Sequence, residues 1–265
     1  MTRCRNSFRR AFANVIRLLA VCMLCSGQAG AQPRDIIVSV YHDFPPFIVN
    51  AETREGLSYD LVDLLDARSQ GAFRFSVDVM PRQRLNDRLR DGAPGIVLWA
   101  NPVWFGDGDR TLYLWSPPLL RDRNDVISPR SVALQFDGPQ SLIGQTLVGV
   151  SGHRYPGVDD YIAQGMIETV NVRSEEALVR FVASARGDVG IVAQSAARYY
   201  VDTLGLEDEV YFSGTAHSEY ERYILLQPEL VAQNPILADL VAEAVTSPAW
   251  TDILRRYGFG PDRMP

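Results

Sequence analysis

The sequence contains no lysine, and its three cysteines, Cys4, Cys22 and Cys25, all precede residue 32. The rest of the chain therefore has no thiol that could form a disulfide bond, hold a metal ion or act as a nucleophile. Histidine is scarce as well, and His42, His153 and His217 show no metal-ligand spacing. Neither a G-x-S-x-G nor an H-E-x-x-H motif occurs, so the sequence predicts no catalytic site, no metal site and no cofactor.

Positive charge is also unevenly distributed along the chain. Five of the 26 arginines and none of the 32 acidic residues lie in residues 1–31. Subtracting those five leaves 21 arginines against 32 acids from residue 32 onward, a net charge of −11. Because a body of this charge repels polyanions, we expect no nucleic-acid partner.

Residues 1–31 have the three parts of a secretory signal peptide. A basic stretch ends at Arg17, a short apolar run spans Leu18 to Cys25, and the small residues Ala29-Gly30-Ala31 form a cleavage site. The apolar run is too short to cross a bilayer. We therefore predict export to the periplasm. Lipid anchoring at Cys22 is the less favoured alternative, since a valine precedes this cysteine where a small residue is expected.

Strand and helix patterns alternate through the rest of the chain. One strand–helix–strand–helix–strand series covers residues 36–100, and a second covers residues 146–193 before the chain returns through further helices. Two such series predict an α/β fold with two βαβ-rich lobes. Ligands bind at the carboxyl ends of the strands in sheets of this kind, so the cleft between the lobes is the expected site.

Several local signals sharpen this prediction. Ser58, Ser174 and Ser247 each precede a helical pattern and are expected to cap it. The segment Phe44-Pro45-Pro46-Phe47 must end the first strand, because proline cannot donate to a sheet. We expect Phe47 to pack in the core and Phe44 to face the cleft.

Five segments in order resemble the periplasmic solute-binding proteins of family three, which serve amino-acid ABC transporters. The segments are YHDFPPFIV, GLSYDLVDLL, DRTLYLWSPPLL, SLIGQTLVGVSG and AWTDILRRYGF. The resemblance covers residues 36–259 and implies a two-lobed periplasmic binding protein fold of type II. It implies that two crossover strands, near Arg121–Val126 and Phe212–Ser218, join a first lobe (32–122, with a return segment 214–265) to a second lobe (123–213).

The resemblance also implies ligand-binding residues at matching positions. Arg110 falls at the arginine that grips the ligand carboxylate, and Phe44 falls at the aromatic residue against the ligand. The other matching positions lie at two strand ends and in one turn, and they are Trp99, Ala100, Asn101, Ser151, His153, Arg154, Gln194 and Ser195.

One departure from the family bears on the ligand. Gln194 and Ser195 stand where many members place an acid for the ligand ammonium group, and neither is acidic. A buried ammonium needs a counter-charge, so the departure argues against a standard amino acid. Arg110 suits a carboxylate, and His153 and Arg154 precede a predicted helix whose N-terminus favours an anion. We therefore predict a small polar, carboxylate-bearing solute, and an amino acid is the alternative ligand.

The sequence is compatible with three functions. The favoured one is a monomeric binding protein, not an enzyme, that closes its lobes on a solute and passes it to a membrane permease of the ABC type or to a sensor. An enzyme similar to cyclohexadienyl dehydratase is the second, with His153 as its candidate acid or base. The third is a stand-alone sensory or accessory module that acts through a partner.

Overall fold

The computed structural model of this protein describes residues 32–261. The predicted signal peptide, residues 1–31, lies outside the described residues. Within residues 32–261, no helix is both long enough and apolar enough to cross a membrane.

The first series forms a parallel sheet with flanking helices. Strand β1 pairs with both β2 and β3 in the parallel direction. A 3-10 helix, Pro102–Phe105, follows β3. The elements of this part are β1 (Arg34–Val40), α1 (Leu57–Ser69), β2 (Phe73–Val79), α2 (Arg82–Arg90), β3 (Ile96–Ala100) and β4 (Leu114–Trp115).

The second series repeats this arrangement. Strand β6 pairs with both β7 and β8 in the parallel direction. A 3-10 helix, Pro139–Leu142, precedes β6. The elements are β5 (Leu120–Pro129), β6 (Thr146–Val150), α3 (Asp159–Ala163), β7 (Glu168–Val172), α4 (Glu175–Ala183), β8 (Val189–Ala193), α5 (Gln194–Leu204) and β9 (Val210–Phe212).

The chain then returns to the first lobe. The returning elements are β10 (Ser218–Leu226), α6 (Pro228–Gln233), α7 (Leu237–Val245) and α8 (Pro248–Arg256). The strand order is β2-β1-β3-β10-β5-β8-β6-β7, so each half has three parallel strands and one antiparallel strand beside them. The predicted α/β fold with two βαβ-rich lobes and two crossover strands is confirmed.

The two crossover strands are β5 and β10. Residues 120–124 of β5 pair antiparallel with residues 218–222 of β10. The second crossing thus lies later than expected, because Val210–Phe212 forms β9 and pairs with the far end of β5. The residue numbers proposed as lobe boundaries stay a prediction.

Each lobe has its own apolar core. Phe47, Trp99 and Trp250 are fully buried in the first lobe, and Leu178 and Val182 are fully buried in the second. Burial of one such side chain contributes roughly 1.5–3 kcal/mol. The prediction that Phe47 packs in the core is confirmed.

The helix caps test the local predictions directly. Ser174 Oγ accepts a hydrogen bond from Ala177 N at 3.2 Å, and Ser247 Oγ accepts one from Trp250 N at 3.4 Å, so both predicted caps are confirmed. The prediction for Ser58 is wrong, since α1 begins at Leu57 with Gly56 as its cap. Gly56 has φ +134°, and a Cβ there would lie 2.7 Å from the carbonyl oxygen of Phe47. Only glycine fits so close to the preceding turn.

Candidate functional site

The Phe44–Phe47 turn is held against the start of α1. Leu57 N donates to the carbonyl of Pro46 at 2.9 Å, and Ser58 N donates to the carbonyl of Phe47 at 3.0 Å. These bonds satisfy amides that a helix start leaves without internal partners. Phe44 is partly buried and packs against the apolar clusters of both lobes. The two lobes therefore meet at Phe44, and its contact with a solute stays a prediction.

A buried arginine lies where the two crossover strands pair. Arg222 of β10 is 1% exposed, and its Nε and Nη2 atoms each donate to Asp122 Oδ2 of β5 at 3.2 Å. Burial by itself lowers the pKa of Arg222, but the electrostatic interactions with Tyr220, Asp122 and Tyr41 more than offset it and leave that pKa raised. The guanidinium group is therefore charged, and Asp122 is its counter-ion.

Asp122 also reaches the second lobe. Its Oδ2 atom accepts a hydrogen bond from Ser195 Oγ at 2.7 Å, and its Oδ1 atom accepts one from the amide of Ser195 at 3.3 Å. Ser195 lies in the first turn of α5, directly after β8. The carboxylate of Asp122 thus connects Arg222 to the start of a helix in the second lobe.

A second acid lies beside Gln194. Gln194 Nε2 donates to Asp125 Oδ2 at 2.9 Å, and burial raises the pKa of Asp125. Arg123 Nε lies 2.7 Å from Asp125 Oδ1, so the two side chains form an ion pair. The Nε–H bond of Arg123 does not point at this oxygen, so the pair has no hydrogen-bond geometry. The expectation that no acid stands near Gln194 and Ser195 is therefore wrong.

Sequence reasoning missed both acids because they come from β5. Asp125 precedes Gln194 by 69 residues, and Asp122 precedes Ser195 by 73 residues. A usable signal was present in the sequence, since LRDRND and SEYERYILL, which form parts of β5 and β10, both alternate or mix charges with apolar residues. Charges at such positions are costly unless an opposite charge faces them across the strand pair.

His42 completes the surroundings of Arg222. Its Nε2 atom accepts a hydrogen bond from Arg222 Nη1 at 2.8 Å, because a guanidinium group can only donate. Burial first, and then the charge of Arg222, lower the pKa of His42 well below its ordinary value. The ring is therefore neutral and carries its proton on Nδ1. That atom is buried, and no described residue accepts its hydrogen bond.

Aromatic rings enclose the guanidinium group of Arg222. Its central carbon lies 4.7 Å from the ring centre of Phe47, 5.0 Å from that of Tyr220 and 5.5 Å from that of Trp104. Tyr220 also accepts a hydrogen bond from Arg222 Nη2 at 3.2 Å through its hydroxyl oxygen. We call the following set the Arg222 cluster: His42, Phe47, Trp104, Asp122, Ser195, Tyr220 and Arg222.

Arg110, the predicted carboxylate-binding arginine, lies elsewhere. It is exposed, its Nη2 donates to the hydroxyl oxygen of Tyr223 at 2.9 Å, and its guanidinium group lies 4.7 Å from that ring centre. Tyr223 in turn donates to the carboxylate of Glu221. Because successive residues of a strand point to opposite faces, Tyr223 and Arg222 lie on opposite faces of β10. The structure therefore does not bring Arg110 to the Arg222 cluster.

Three further predicted residues follow β3 or end it. Trp99 and Ala100 are fully buried, and the indole of Trp99 packs on Phe47 and Trp250 and donates to Ser58 Oγ at 2.8 Å. Neither side chain is accessible to a solute. Asn101 accepts from Val103 N at 3.0 Å and donates to a backbone carbonyl of β10 at 2.9 Å, so both ends of its amide are engaged.

The predicted turn of the second lobe is exposed. Ser151 Oγ donates to the carbonyl of Val172 at 3.1 Å, and His153 Nε2 lies 3.8 Å from Glu175 Oε1. The expectation that His153 and Arg154 sit at a helix N-terminus is wrong, because the next helix begins at Asp159 and is only five residues long. In residues 32–261, no three histidine, cysteine or acidic side chains gather as a metal site.

A cavity of about 580 Å³ opens at the crossover strands. Asp122, Gln194 and Tyr220 line this cavity. Asp122 and Tyr220 also belong to the Arg222 cluster, so the cavity lies beside that cluster. The remaining lining residues are Arg121, Arg123, Glu219 and Glu221.

Comparisons with known proteins identify similar folds only. No protein-family profile matches the chain, and no curated protein matches it. An ancestral arginine-binding protein bound to arginine is 15% identical, with a TM-score of 0.64 over 85% of this chain and 98% of that one. An ABC uptake transporter substrate-binding protein from Streptococcus pneumoniae with bound histidine is 13% identical, with a TM-score of 0.62 over 84% of this chain and 92% of that one.

A third similar structure is the GluR0 ligand-binding core from Nostoc punctiforme in complex with L-glutamate. It is 12% identical, with a TM-score of 0.63 over 84% of this chain and 98% of that one. The three bound ligands differ in charge, so the similarity carries no information about which solute this chain takes. The chain has the two-lobed type II fold of periplasmic binding proteins.

Proposed function

We propose that this protein is a periplasmic solute-binding protein that captures a small polar, carboxylate-bearing solute between its lobes for an ABC-type transporter. The observation that carries the proposal is His42 Nδ1, a buried N–H donor that no described residue satisfies. His42 lies 5.4 Å from Phe44, centre to centre, and Phe44 packs against both lobes. An acceptor atom of a solute at this place would satisfy the donor, since an unpaired buried donor costs about 1–3 kcal/mol.

The charges around His42 favour an anion over a cation. Asp122 and Asp125, the acids beside Ser195 and Gln194, each face an arginine, so a solute ammonium group would compete with Arg222 or Arg123. A carboxylate needs donors instead. After burial, the charges of Arg222 and Arg82 lower the pKa of His42, so positive groups lie close to this ring.

Arg110 stays a proposed anion contact, and it would have to reach the solute from outside the Arg222 cluster, since it lies on the opposite face of β10. Its side chain is exposed, and exposed pairings of arginine contribute only about 0–1 kcal/mol. The guanidinium group can therefore leave Tyr223 for a solute carboxylate at small cost. Phe44, Gln194 and Ser195 are proposed to complete the contacts from the two lobes.

Titration calorimetry on the purified protein tests the ligand class. We would titrate small mono- and dicarboxylates, their methyl esters, and neutral and cationic amino acids. We expect at least one carboxylate to bind with one-to-one stoichiometry and its ester to bind at least about tenfold more weakly, a difference of 1.4 kcal/mol. Binding of cationic amino acids alone would contradict the proposal.

Two variants test, in the same titration, whether His42 contacts the solute. His42→Phe keeps a ring but removes the Nδ1 donor, so we expect at least about a tenfold loss of carboxylate affinity, the equivalent of one hydrogen bond to a charged group. The matched control is Arg255→Ala, which removes an exposed arginine that pairs only with Asp252 one turn away, and it should leave the affinity unchanged. Equal carboxylate affinities of the two variants would show that His42 does not contact the solute.

The partner is a separate part of the proposal. If the partner is a permease, cells that lack this protein should lose high-affinity uptake of the radiolabelled solute. Unchanged uptake together with a lost transcriptional response to the solute would instead indicate a sensor. Consumption of the solute during the titration, followed by absorbance, would indicate an enzyme.

A further inference from the structure

The side chain of Arg222 makes more connections than an ordinary ion pair needs. Its four hydrogen bonds reach His42 after β1, Asp122 on β5 and the hydroxyl oxygen of Tyr220 on β10. Through Asp122, the network continues to Ser195 at the start of α5. One guanidinium group therefore connects the first lobe, both crossover strands and the second lobe.

The chemistry around this group is that of a binding site for a planar cation. A carboxylate oxygen accepts from two of its nitrogens, and further acceptors meet its remaining edges. Three aromatic rings lie within 5.5 Å of its central carbon. Guanidinium groups are weakly hydrated and stack on aromatic faces while donating in their own plane, so both kinds of contact favour them over an ammonium group.

An exposed pair of the same protein shows the contrast. Arg255 lies 2.6 Å from Asp252, but both side chains are at least 60% exposed, and among the described residues no aromatic ring stacks on this guanidinium group. Such a pair needs no enclosing aromatic residues. The enclosure of Arg222 by residues from distant parts of the chain therefore requires a different explanation.

We infer that the Arg222 cluster is a guanidinium-binding site that the chain fills with its own side chain. Arg222 acts there as a built-in ligand that holds the lobes together without a solute. Its presence also excludes guanidinium compounds from this place, so the wild-type protein should not bind them at the cluster. This inference does not depend on which solute the cleft takes.

Chemical rescue of Arg222→Ala tests the inference, with methylguanidinium and ethylammonium as probes of equal charge. The variant keeps the carboxylate and the rings but lacks the guanidinium group. We expect a lowered melting temperature that millimolar methylguanidinium raises in a saturable way, since a ligand that binds only the folded state stabilises it. Ethylammonium should be at least about tenfold less effective, because it lacks the planar donor array.

Two controls separate binding from general salt effects. Wild-type protein, whose site is filled, should show no saturable response to either probe. The double variant Asp122→Asn/Arg222→Ala lacks the carboxylate, so it should not respond either. Equal responses of Arg222→Ala to both cations, or the same response in wild type and variant, would overturn the inference.

The test remains decisive if Arg222→Ala does not fold by itself. The variant would then be refolded with and without methylguanidinium and followed by circular dichroism. Recovery of the native spectrum only with methylguanidinium supports the inference, and recovery in neither condition overturns it. The carboxylate titration of wild-type protein is unaffected by either outcome, so failure of the inference and failure of the proposed function are distinguishable.

Discussion

An arginine, a tyrosine and an acid meet at each face of strand β10, in different surroundings. On one face, Arg222 donates to Tyr220 and pairs with Asp122. On the other face, Arg110 donates to Tyr223, which donates to Glu221. The distance from guanidinium carbon to tyrosine ring centre is 5.0 Å in the first group and 4.7 Å in the second. The distance from guanidinium group to ring therefore does not distinguish the two groups of residues, but the burial of the arginine does.

Burial changes what each group contributes. Arg222 is 1% exposed, so its charge depends entirely on protein partners, whereas Arg110 is exposed and water can replace Tyr223. Removing one partner of a buried ion pair leaves a charge without compensation, which costs about 3–5 kcal/mol. Exposed pairs contribute about 0–1 kcal/mol. The buried face thus stabilises the fold and the contact between the lobes, and the exposed face has an arginine that water can reach.

Alanine substitution of the two arginines gives the largest predicted difference. We expect Arg222→Ala to lower the free energy of unfolding by about 3–5 kcal/mol, since Asp122 would remain buried without its counter-ion. Arg110→Ala should lower it by less than about 1 kcal/mol. Urea unfolding followed by circular dichroism measures both, and equal losses would contradict the comparison.

A double-mutant cycle sharpens the assignment of this loss to the ion pair. Asp122→Leu and Arg222→Met should each destabilise strongly, but the double variant should be less destabilised than their sum by about 2–3 kcal/mol, because no buried charge is left without a partner. The matched cycle on Arg255 and Asp252 should give a coupling below about 0.5 kcal/mol. Additive losses at Asp122 and Arg222 would show that the two side chains act independently.

The pH dependence of stability tests the state of His42. Its pKa is lowered in the folded protein, so below pH 6.5 the unfolded chain binds a proton that the folded protein does not. The contribution of His42 is therefore fully present above pH 6.5 and is lost as the pH falls below that value. Unfolding between pH 7.5 and pH 5 should show a shallower slope for His42→Phe than for wild type. The pKa of His217 is also lowered, so part of the slope should remain.

The smallest predicted effect concerns serine. Ser195→Ala removes the hydrogen bond to the buried carboxylate of Asp122, and we expect a loss of about 1.5 kcal/mol. Ser151→Ala removes a hydrogen bond in an exposed turn and should cost less than about 0.5 kcal/mol. Chemical unfolding of the two variants in parallel provides the measurement. A larger loss for Ser151→Ala would reverse the comparison between buried and exposed positions.

The sequence permitted prediction of the fold because its signals are local. Helical and strand periods gave the two series of elements, and Ser174 and Ser247 were found as caps because capping depends on residues within one turn. The error at Ser58 has a tertiary cause. The carbonyl of Phe47 approaches the start of α1 so closely that glycine takes the cap position.

The candidate site could be predicted only in part. Phe44 lies in a motif with a local signature, and the structure places it against both lobes. The pairing of Arg222 with Asp122 joins residues 100 positions apart, and its partner His42 lies 180 positions from Arg222. Such contacts depend on strand register and lobe packing, which composition and periodicity do not specify. The presence of charges inside both crossover strands was the signal that could have indicated them.

Small-angle X-ray scattering of three proteins without solute tests whether Arg222 holds the two lobes together. Wild type, Arg222→Ala and Arg110→Ala would be compared at one pH and salt concentration, with folding checked by circular dichroism. We expect a larger radius of gyration for Arg222→Ala alone, because the guanidinium group of Arg222 holds the lobes together. Identical radii for all three folded proteins would contradict this expectation.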